Sequence, residues 1–506
     1  MRSKRAILNI IASLVLKIVT LISGFIVPKL LITKFGSNVN GLISSITQFL
    51  GYITLLEAGI GPVIKSALYK PIAQKNKKEI ENILYASEKF FRIIAMMFII
   101  YLIILSLIYP IFVNKEFSFI YTMSLIIIIS ISTLIEYYFG MTYTLYLQAE
   151  QKTYISSIIQ TVLYIFNIII ILILIKLNAN IQMIKLISGI IFVFRPIIQN
   201  VYVKKKYNIN LKNADYSFKL KQKWDGLAQH IASVVHNNTD IAILTIFTQI
   251  SEVSVYAVYL MIVKGIKTII EAFTGGMDAS FGDMIAREEQ KELNKNFKTY
   301  ELFYYTICTI VYACTIILIV PFVIVYTIGI SDANYIRPIF ASIIVISEFV
   351  WSIRLPYSSI TLAAGHFKET QKGAWIEAGV NIIISIILVF KLGIIGVAIG
   401  TLVAMIIRTV EFMYHTNRYI LKRKQKTSII RVLLIIVETT IILLISQLIV
   451  KPEFVSYIEW IKYTIEILIL AIVIVIPINL AVYFKDVKDL LNMIKESFLR
   501  RKGENK

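Results

Sequence analysis

The sequence predicts an all-α polytopic membrane protein of about fourteen transmembrane helices, built as two six-helix lobes in parallel repeat plus two C-terminal helices. Three observations carry this expectation. The chain is 57% hydrophobic and 16% charged, whereas a soluble protein lies nearer half apolar and a quarter charged. Its apolar runs reach the ~20 residues that a helix needs to cross the hydrocarbon core. One polar-punctured stretch also occurs twice, at a constant displacement.

That stretch reads GYITLLEAGIGPVIKS from Gly51 and GIKTIIEAFTGGMDAS from Gly265. Gly51, Thr54, Glu57, Ala58, Gly61 and Ser66 meet Gly265, Thr268, Glu271, Ala272, Gly275 and Ser280, and the register holds on to Lys77/Lys291 and Asn82/Asn296. Gly and Glu are scarce beside the Ile-rich filler, so their agreement outweighs the apolar identities. Weaker echoes pair Leu147–Ala149 with Leu362–Ala364, Asn167 with Asn381 and Arg195 with Arg408. Each copy is expected to be one apolar helix with a buried acid and a charged loop after it. Such a helix, present in two halves, suits two lobes that rock about a central site.

In chain order the spans are expected at 7–33, 41–68, 90–113, 118–146, 154–175, 182–203, 226–249, 253–283, 299–327, 335–363, 373–391, 393–417, 428–450 and 457–484. The N-terminal MRSKR leads into an apolar run longer than the ~7–15 residues of a signal-peptide core, which makes it the first membrane helix. Six spans per half is an even number, so both halves start on the same side and the repeats are parallel. The expected division is an N-terminal lobe at 1–205, a cytoplasmic linker at 206–225, a C-terminal lobe at 226–420, two additional helices at 421–484 and a cytoplasmic tail at 485–506. In the linker, Ile209, Leu211, Tyr216, Phe218 and Leu220 alternate with bases, the pattern of a segment lying on an anionic leaflet.

The net charge of +21 is read as topology rather than as affinity for nucleic acid. Lys and Arg gather in loops on one side, from Arg2, Lys4 and Arg5 through Lys75, Lys77, Lys152, Lys204 and Lys422 to the C-terminal tail, while Lys34, Lys176 and Lys451 stand on the other. The bias places both termini in the cytoplasm. Cys308 and Cys314 are six residues apart in one apolar run and read as filler. No phosphate loop, no H-E-x-x-H and no D-x-D is present, and no exterior loop is long enough for a catalytic domain. The expectation is a non-enzyme without cofactor or metal, driven by an ion gradient, a membrane potential or the gradient of its own substrate.

Ionisable side chains inside spans cost ~2.5–3.5 kcal/mol each on insertion scales and usually face the bundle interior. On the first helix Lys17 shares a face with Leu21, Gly24 and Pro28. The seventh span carries His230, Ser233, Asn237 and Asp240 as a polar stripe, which serves equally as a helix–helix hydrogen-bond seam. On the eighth, Lys264, Thr268, Glu271, Gly275 and Asp278 share a face, and Lys267 stands one turn before Glu271, where the two can neutralise each other. Arg354 lies deep in the tenth span, while Arg195 and Arg408 lie nearer the ends, where snorkelling explains them. Glu136 and Glu348 are the other acids within spans.

The segment SGFIVPKLLITKFGSNVNGLISSITQFLGYITLLEAGIGPVIKSALYKPIAQ resembles the opening of bacterial polysaccharide repeat-unit flippases. In it a Pro-bearing first helix leads to Phe35-Gly36 and then to the turn Leu56-Glu57-Ala58-Gly59-Ile60-Gly61. These flippases share a superfamily with multidrug-and-toxin extruders and lipid II flippases. The resemblance implies a bacterial inner-membrane transporter. Its cargo would be an undecaprenyl-pyrophosphate-linked oligosaccharide, moved by alternating access for capsule, O-antigen or other surface polysaccharide synthesis, with a polysaccharide polymerase as neighbour. It also implies a cation-lined cavity, a role carried here to Lys17, Lys264 and Arg354. Glu57, Asp240 and Glu271 would hold those cations apart or take a coupling proton or sodium ion. The arginine-rich first-helix signature of the lipid II group is missing, with Lys17 the only base at mid-helix. A cation-coupled drug extruder of the same fold is the alternative and would favour an acid-dominated cavity. A membrane-embedded polymerase fits less well with short exterior loops and an internal repeat.

The charge asymmetry makes one direct prediction. In a chain with Cys308 and Cys314 replaced, cysteines placed at Lys34, Lys176 and Lys451 are expected to react with a membrane-impermeant maleimide on intact cells. Reaction only after permeabilisation would reverse the orientation.

Overall fold

A computed structural model describes residues 2–57, 59–215, 227–271 and 277–488. The described residues are helical throughout, with no strand. The helices are α1 (Arg2–Gly51), α2 (Ile60–Gln74), α3 (Lys77–Phe112), α4 (Phe119–Ile135), α5 (Met141–Ala149), α6 (Thr153–Lys176), α7 (Ile181–Tyr207) and α8 (Leu227–Phe247). There follow α9 (Ile250–Glu271), α10 (Met277–Ala286), α11 (Gln290–Tyr326), α12 (Pro338–Ala363), α13 (Gln371–Leu392), α14 (Ile394–His415), α15 (Gln425–Ser446) and α16 (Tyr457–Val482). Among the described residues, 12 helical stretches are long and apolar enough to cross a membrane. The first, Arg5–Glu57, holds two of the expected spans, because α1 kinks at Gly36 (φ 83, ψ 171), a conformation open to glycine and closed to side-chain-bearing residues. The expected seventh span is α8, in which Asn238–Phe247 is an apolar stretch among the described residues.

The displacement read from the sequence recurs in the backbone. α3 and α11 end at Phe112 and Tyr326, and α5 and α12 at Ala149 and Ala363, each pair 214 apart. The left-handed turn residues Gln151 and Gly365, and Asn208 and Lys422, keep the same spacing. The kink at Gly36 matches the start of α9 at Ile250, so one kinked helix in the first copy corresponds to two separate helices in the second. The chain is therefore two copies of one six-span plan, α1–α7 and α8–α14, followed by α15 and α16.

Two expectations change. The stretch 41–68 is not a single helix, and 253–283 is described only in part. The first breaks after Gly51 into a 3-10 turn, Tyr52–Glu57, and α2 starts only after Gly59, whose φ of 73 turns the chain left-handed. Of the second, α9 is described to Glu271 and α10 from Met277, with 272–276 outside the described residues. The repeated acid is not buried: Glu57 is half-buried and Glu271 exposed. The linker does not simply lie on a surface either. Ile209 is buried, Asn210 donates its backbone N–H to Glu81 Oε1 at 2.8 Å, and Asp215 donates to Asn82 Oδ1 at 2.7 Å. Residues 216–226 lie outside the described residues.

Contacts divide the chain into Met1–Ser254 and Val255–Lys506, one helix later than the expected linker. In the first unit α8 packs on the second half of α1. Ser45 and Thr245 hydroxyls meet at 2.6 Å, Asn40 donates to Ser254 at 2.8 Å, Gln48 donates to Asn238, and a Cβ on Gly41 would lie 2.0 Å from the Ile250 carbonyl oxygen.

In the second unit Gly396, Gly400 and Ala404 are buried one turn apart on α14, and α13 lies directly against them. Small residues let two backbones approach where neither gains from leaving water. α15 and α16 attach to α11 through an apolar core in which Ile442, Ile467, Ala471 and Val475 meet Ala313, Cys314 and Leu318. A carboxylate fastens them: Glu301, fully buried, accepts from Arg423 at 3.0 Å and Arg431 at 2.8 Å, and Arg431 reaches Asp486 at 3.0 Å.

A Cβ on Gly400 would lie 2.8 Å from the Ser385 backbone nitrogen, whereas one on Gly379 meets nothing within 4 Å. Gly400→Leu is expected to lower stability by ~1–3 kcal/mol, read as the unfolding midpoint in detergent, with Gly379→Leu unchanged.

Candidate functional site

The charged groups within the spans are the chemistry that the fold must place. In the first unit Lys17 is exposed on α1, flanked along the helix by exposed Leu14 and Ile18. Glu57 accepts a hydrogen bond from the Tyr137 hydroxyl. Tyr137 belongs to a π turn, Glu136–Gly140, that joins α4 to α5. The wider turn re-aims the side chains of this stretch, and Glu136 comes to lie 3.8 Å from the Arg195 guanidinium of α7. Gly140 makes room, since a Cβ there would sit 2.6 Å from the Pro196 side chain. Arg195, expected to snorkel, thus faces a carboxylate. Asp240 is buried on α8. The His230, Ser233 and Asn237 side chains lie outside the described ones, so the expected stripe is seen only at Asp240.

A tyrosine–carboxylate pair lies deeper in each copy. Tyr143 donates to Glu88 at 3.4 Å, and Arg92, one turn along α3, flanks the same carboxylate at 3.3 Å. In the second copy Tyr357 donates to Glu301. Tyr143 and Tyr357 stand 214 residues apart, the spacing of the repeat.

In the second unit Lys264 is exposed on α9. Lys267, expected to neutralise Glu271 along its own helix, meets a carboxylate on another helix. Its ammonium lies 3.4 Å from Glu348 on α12 and 3.6 Å above the centre of the Trp351 ring. A carboxylate and an aromatic face together offer a half-buried cation more than an acid at a helix end.

Arg354 is expected as a cation open to a cavity. The structure gives it a partner: its Nη1 donates to Glu377 Oε1 at 2.7 Å. The second oxygen of Glu377 faces Arg408 Nε at 3.3 Å. Arg408, buried, also holds Glu411 on its own helix, donates to the Thr370 carbonyl at 2.8 Å and stacks 4.2 Å from the Phe412 ring centre. Two guanidinium groups and two carboxylates make the cluster neutral. Sequence reasoning found Arg354 and Arg408 and missed Glu377, which joins them. The signal was there: Ala374, Glu377, Ala378, Asn381 and Ser385 form a buried stripe on α13, too polar for lipid.

Lys17, Glu57 and Asp240 fall in the first unit, and Lys264, Glu271 and Arg354 in the second. Removing the shared carboxylate tests the cluster. Glu377→Ala leaves two arginines without their common partner and is expected to cost ~3–5 kcal/mol of stability. Glu411→Ala, at a carboxylate 29% exposed, is expected to cost markedly less in the same unfolding assay.

No protein-family model matches the chain, and no curated protein matches it. Solved structures do. A lipid II flippase, MurJ, in an inward closed conformation superposes with a TM-score of 0.65 at 16% identity, covering 92% of this chain and 98% of its own. An inward-facing multidrug resistance MATE family transporter of the MOP superfamily gives 0.61 at 14% identity, covering 79% of this chain and 94% of its own. An outward-facing one gives 0.55 at 13% identity, covering 82% of this chain and 96% of its own. The fold of this chain is the fold of those transporters.

Proposed function

We propose that this protein is a transporter that flips an undecaprenyl-pyrophosphate-linked oligosaccharide across the cytoplasmic membrane by alternating access. The observation that carries this reading is the extent of the structural likeness. The lipid II flippase spans 92% of this chain, against 79–82% for the two multidrug transporters. Chemistry supports the same direction. A diphosphate cannot enter bare hydrocarbon, where desolvation of an isolated ion costs tens of kcal/mol by Born estimates. It needs countercharge along a wet path, while its lipid tail stays in the bilayer. Lys17 and Lys264 are exposed cations on membrane helices, and Arg354 offers a planar fork suited to phosphate oxygens. Glu57, Asp240 and Glu271 are the acids available to a coupling proton or sodium ion. In this reading both termini are cytoplasmic and a polysaccharide polymerase receives the cargo outside.

The test is transport by purified protein in vesicles loaded with a fluorescent undecaprenyl-pyrophosphate oligosaccharide, scored by the fraction of label that becomes accessible to an impermeant quencher. Lys17→Gln and Lys264→Gln are each expected to reduce the rate at least ~10-fold at normal protein level, as loss of one charge–phosphate contact implies. Arg354→Gln is read beside Arg354→Gln/Glu377→Gln, which keeps the cluster neutral, and Arg354→Lys is expected to retain partial rate. Lys462→Gln, exposed on α16, is the control. Normal flipping by all three cavity variants, or gradient-driven movement of a cationic dye in place of the lipid, would replace this reading with the drug extruder.

A further inference from the structure

The two copies each carry a cavity at the same place, where the loops after α2, α5 and α7, or after α10, α12 and α14, come together. In the first unit it has a volume of about 690 Å³ and is lined by Arg5, Lys75, Lys77, Tyr146, Glu150 and Tyr207 among others. In the second it is about 450 Å³ and is lined by Glu288, Glu289, His366 and Lys422 among others. Both volumes are those of ligand sites. Their charges are opposite. Around the first, Arg5, Lys75, Lys77 and Lys152 stand against Glu150 and Glu81, with Arg5 3.8 Å and Lys152 3.2 Å from Glu150 and Lys77 3.9 Å from Glu81. Lys75 is left as the exposed charge at the mouth. It is the left-handed residue that follows α2, and the left-handed residue that follows α10 is Glu288. Basic loops on one side of a membrane are ordinary topology, but topology alone would make both cavities basic.

The first cavity is also built. Tyr146 is buried in its wall, its ring packs edge-on against Tyr207 at 5.1 Å, and Lys152 Nζ donates to the Tyr207 hydroxyl at 2.6 Å. Asn9 ties the entrance from both sides, donating to the Gln151 carbonyl at 3.0 Å and accepting from Tyr154 N at 2.9 Å.

We propose that this cavity binds the phosphate of an anionic phospholipid headgroup, and that its counterpart in the second copy does not. Cations and phenol hydroxyls in a pocket at a helix-bundle end supply the donors that a phosphodiester accepts. Tyr69, exposed on the rim, offers the acyl chains an amphipathic edge. The site would hold a resident lipid against one copy only, apart from the cargo path.

The test is native mass spectrometry and thermal shift of the full chain in detergent with phosphatidylglycerol, phosphatidylcholine or inorganic phosphate added. Phosphatidylglycerol is expected to bind and stabilise, and the other two are not. Arg5→Gln/Lys75→Gln/Lys77→Gln is expected to weaken phosphatidylglycerol binding about 100-fold, at ~1 kcal/mol per charge. Lys75→Glu, which puts an acid at this turn as Glu288 does in the counterpart, is expected to weaken it at least ~10-fold and serves if the triple variant fails to fold. Lys422→Gln is expected to change nothing. Unaltered binding by Lys75→Glu, equal loss in Lys422→Gln, or binding of inorganic phosphate as tight as that of phosphatidylglycerol would each overturn the proposal.

Discussion

A chain in hydrocarbon has no water to satisfy its peptide groups, so every interruption of a helix must be brief and locally repaired. That constraint shapes this molecule more than any side chain. Among the described residues of the first copy, the breaks within spans each have a mechanism: a left-handed glycine at Gly36 and Gly59, a 3-10 turn at Tyr52–Glu57, a π turn at Glu136–Gly140. Left-handed residues close α2, α5 and α7 in the first copy, and their counterparts close α10, α12 and α14 in the second. Duplication therefore preserved these left-handed turns, while the π turn Glu136–Gly140 and the 3-10 turn Tyr52–Glu57 align with unbroken helix in α12 and α9.

The side chains at those places were free to diverge, and they did so through charge. The carboxylate of Glu88 is met by Tyr143 and by Arg92 of its own helix. Glu301, one place off the repeat register from Glu88, is met by Tyr357 and by two arginines, Arg423 and Arg431. A buried carboxylate must find a cation or stay protonated, and in the second copy the extra helices supply it. Equivalent tyrosines, Tyr143 and Tyr357, thus meet a carboxylate that closes on its own helix in one copy and one that anchors an addition in the other. The paired cavities follow the same rule, one basic and one acidic on a shared frame.

Much of the fold was legible because it rests on periodicity and repetition. Helix count, the duplication and the attachment of two further helices all follow from apolar length and from matching Gly and Glu. The break at Glu57 was not read, although Gly59 and Gly61 mark it. A glycine inside an apolar run signals close packing as readily as a turn, and only the positive φ at Gly59 decides between them. The candidate residues were legible as residue types and not as pairs. Lys267 joins Glu348, and Arg354 joins Glu377, across more than twenty residues of chain. Helical spacing reveals partners on one helix and is silent about partners on the next.

The cluster around Glu377 bears on how an arginine with a carboxylate partner can still meet an anion. Breaking an isolated buried ion pair strands a charge and costs several kcal/mol. Glu377 is not in an isolated pair, because one oxygen faces Arg354 and the other Arg408. If a phosphate oxygen drew Arg354 away, Glu377 would keep Arg408, and Arg408 would keep Glu411 and the Thr370 carbonyl. No member of the cluster would be left bare. Arg408 is fully enclosed and fixed by its ring contact with Phe412, whereas the Arg354 side chain keeps 12% exposure and a looser 6.0 Å approach to the same ring. The arrangement thus divides two arginines into one that holds the carboxylate and one that can be lent, which is what the proposed transport of a diphosphate asks of it.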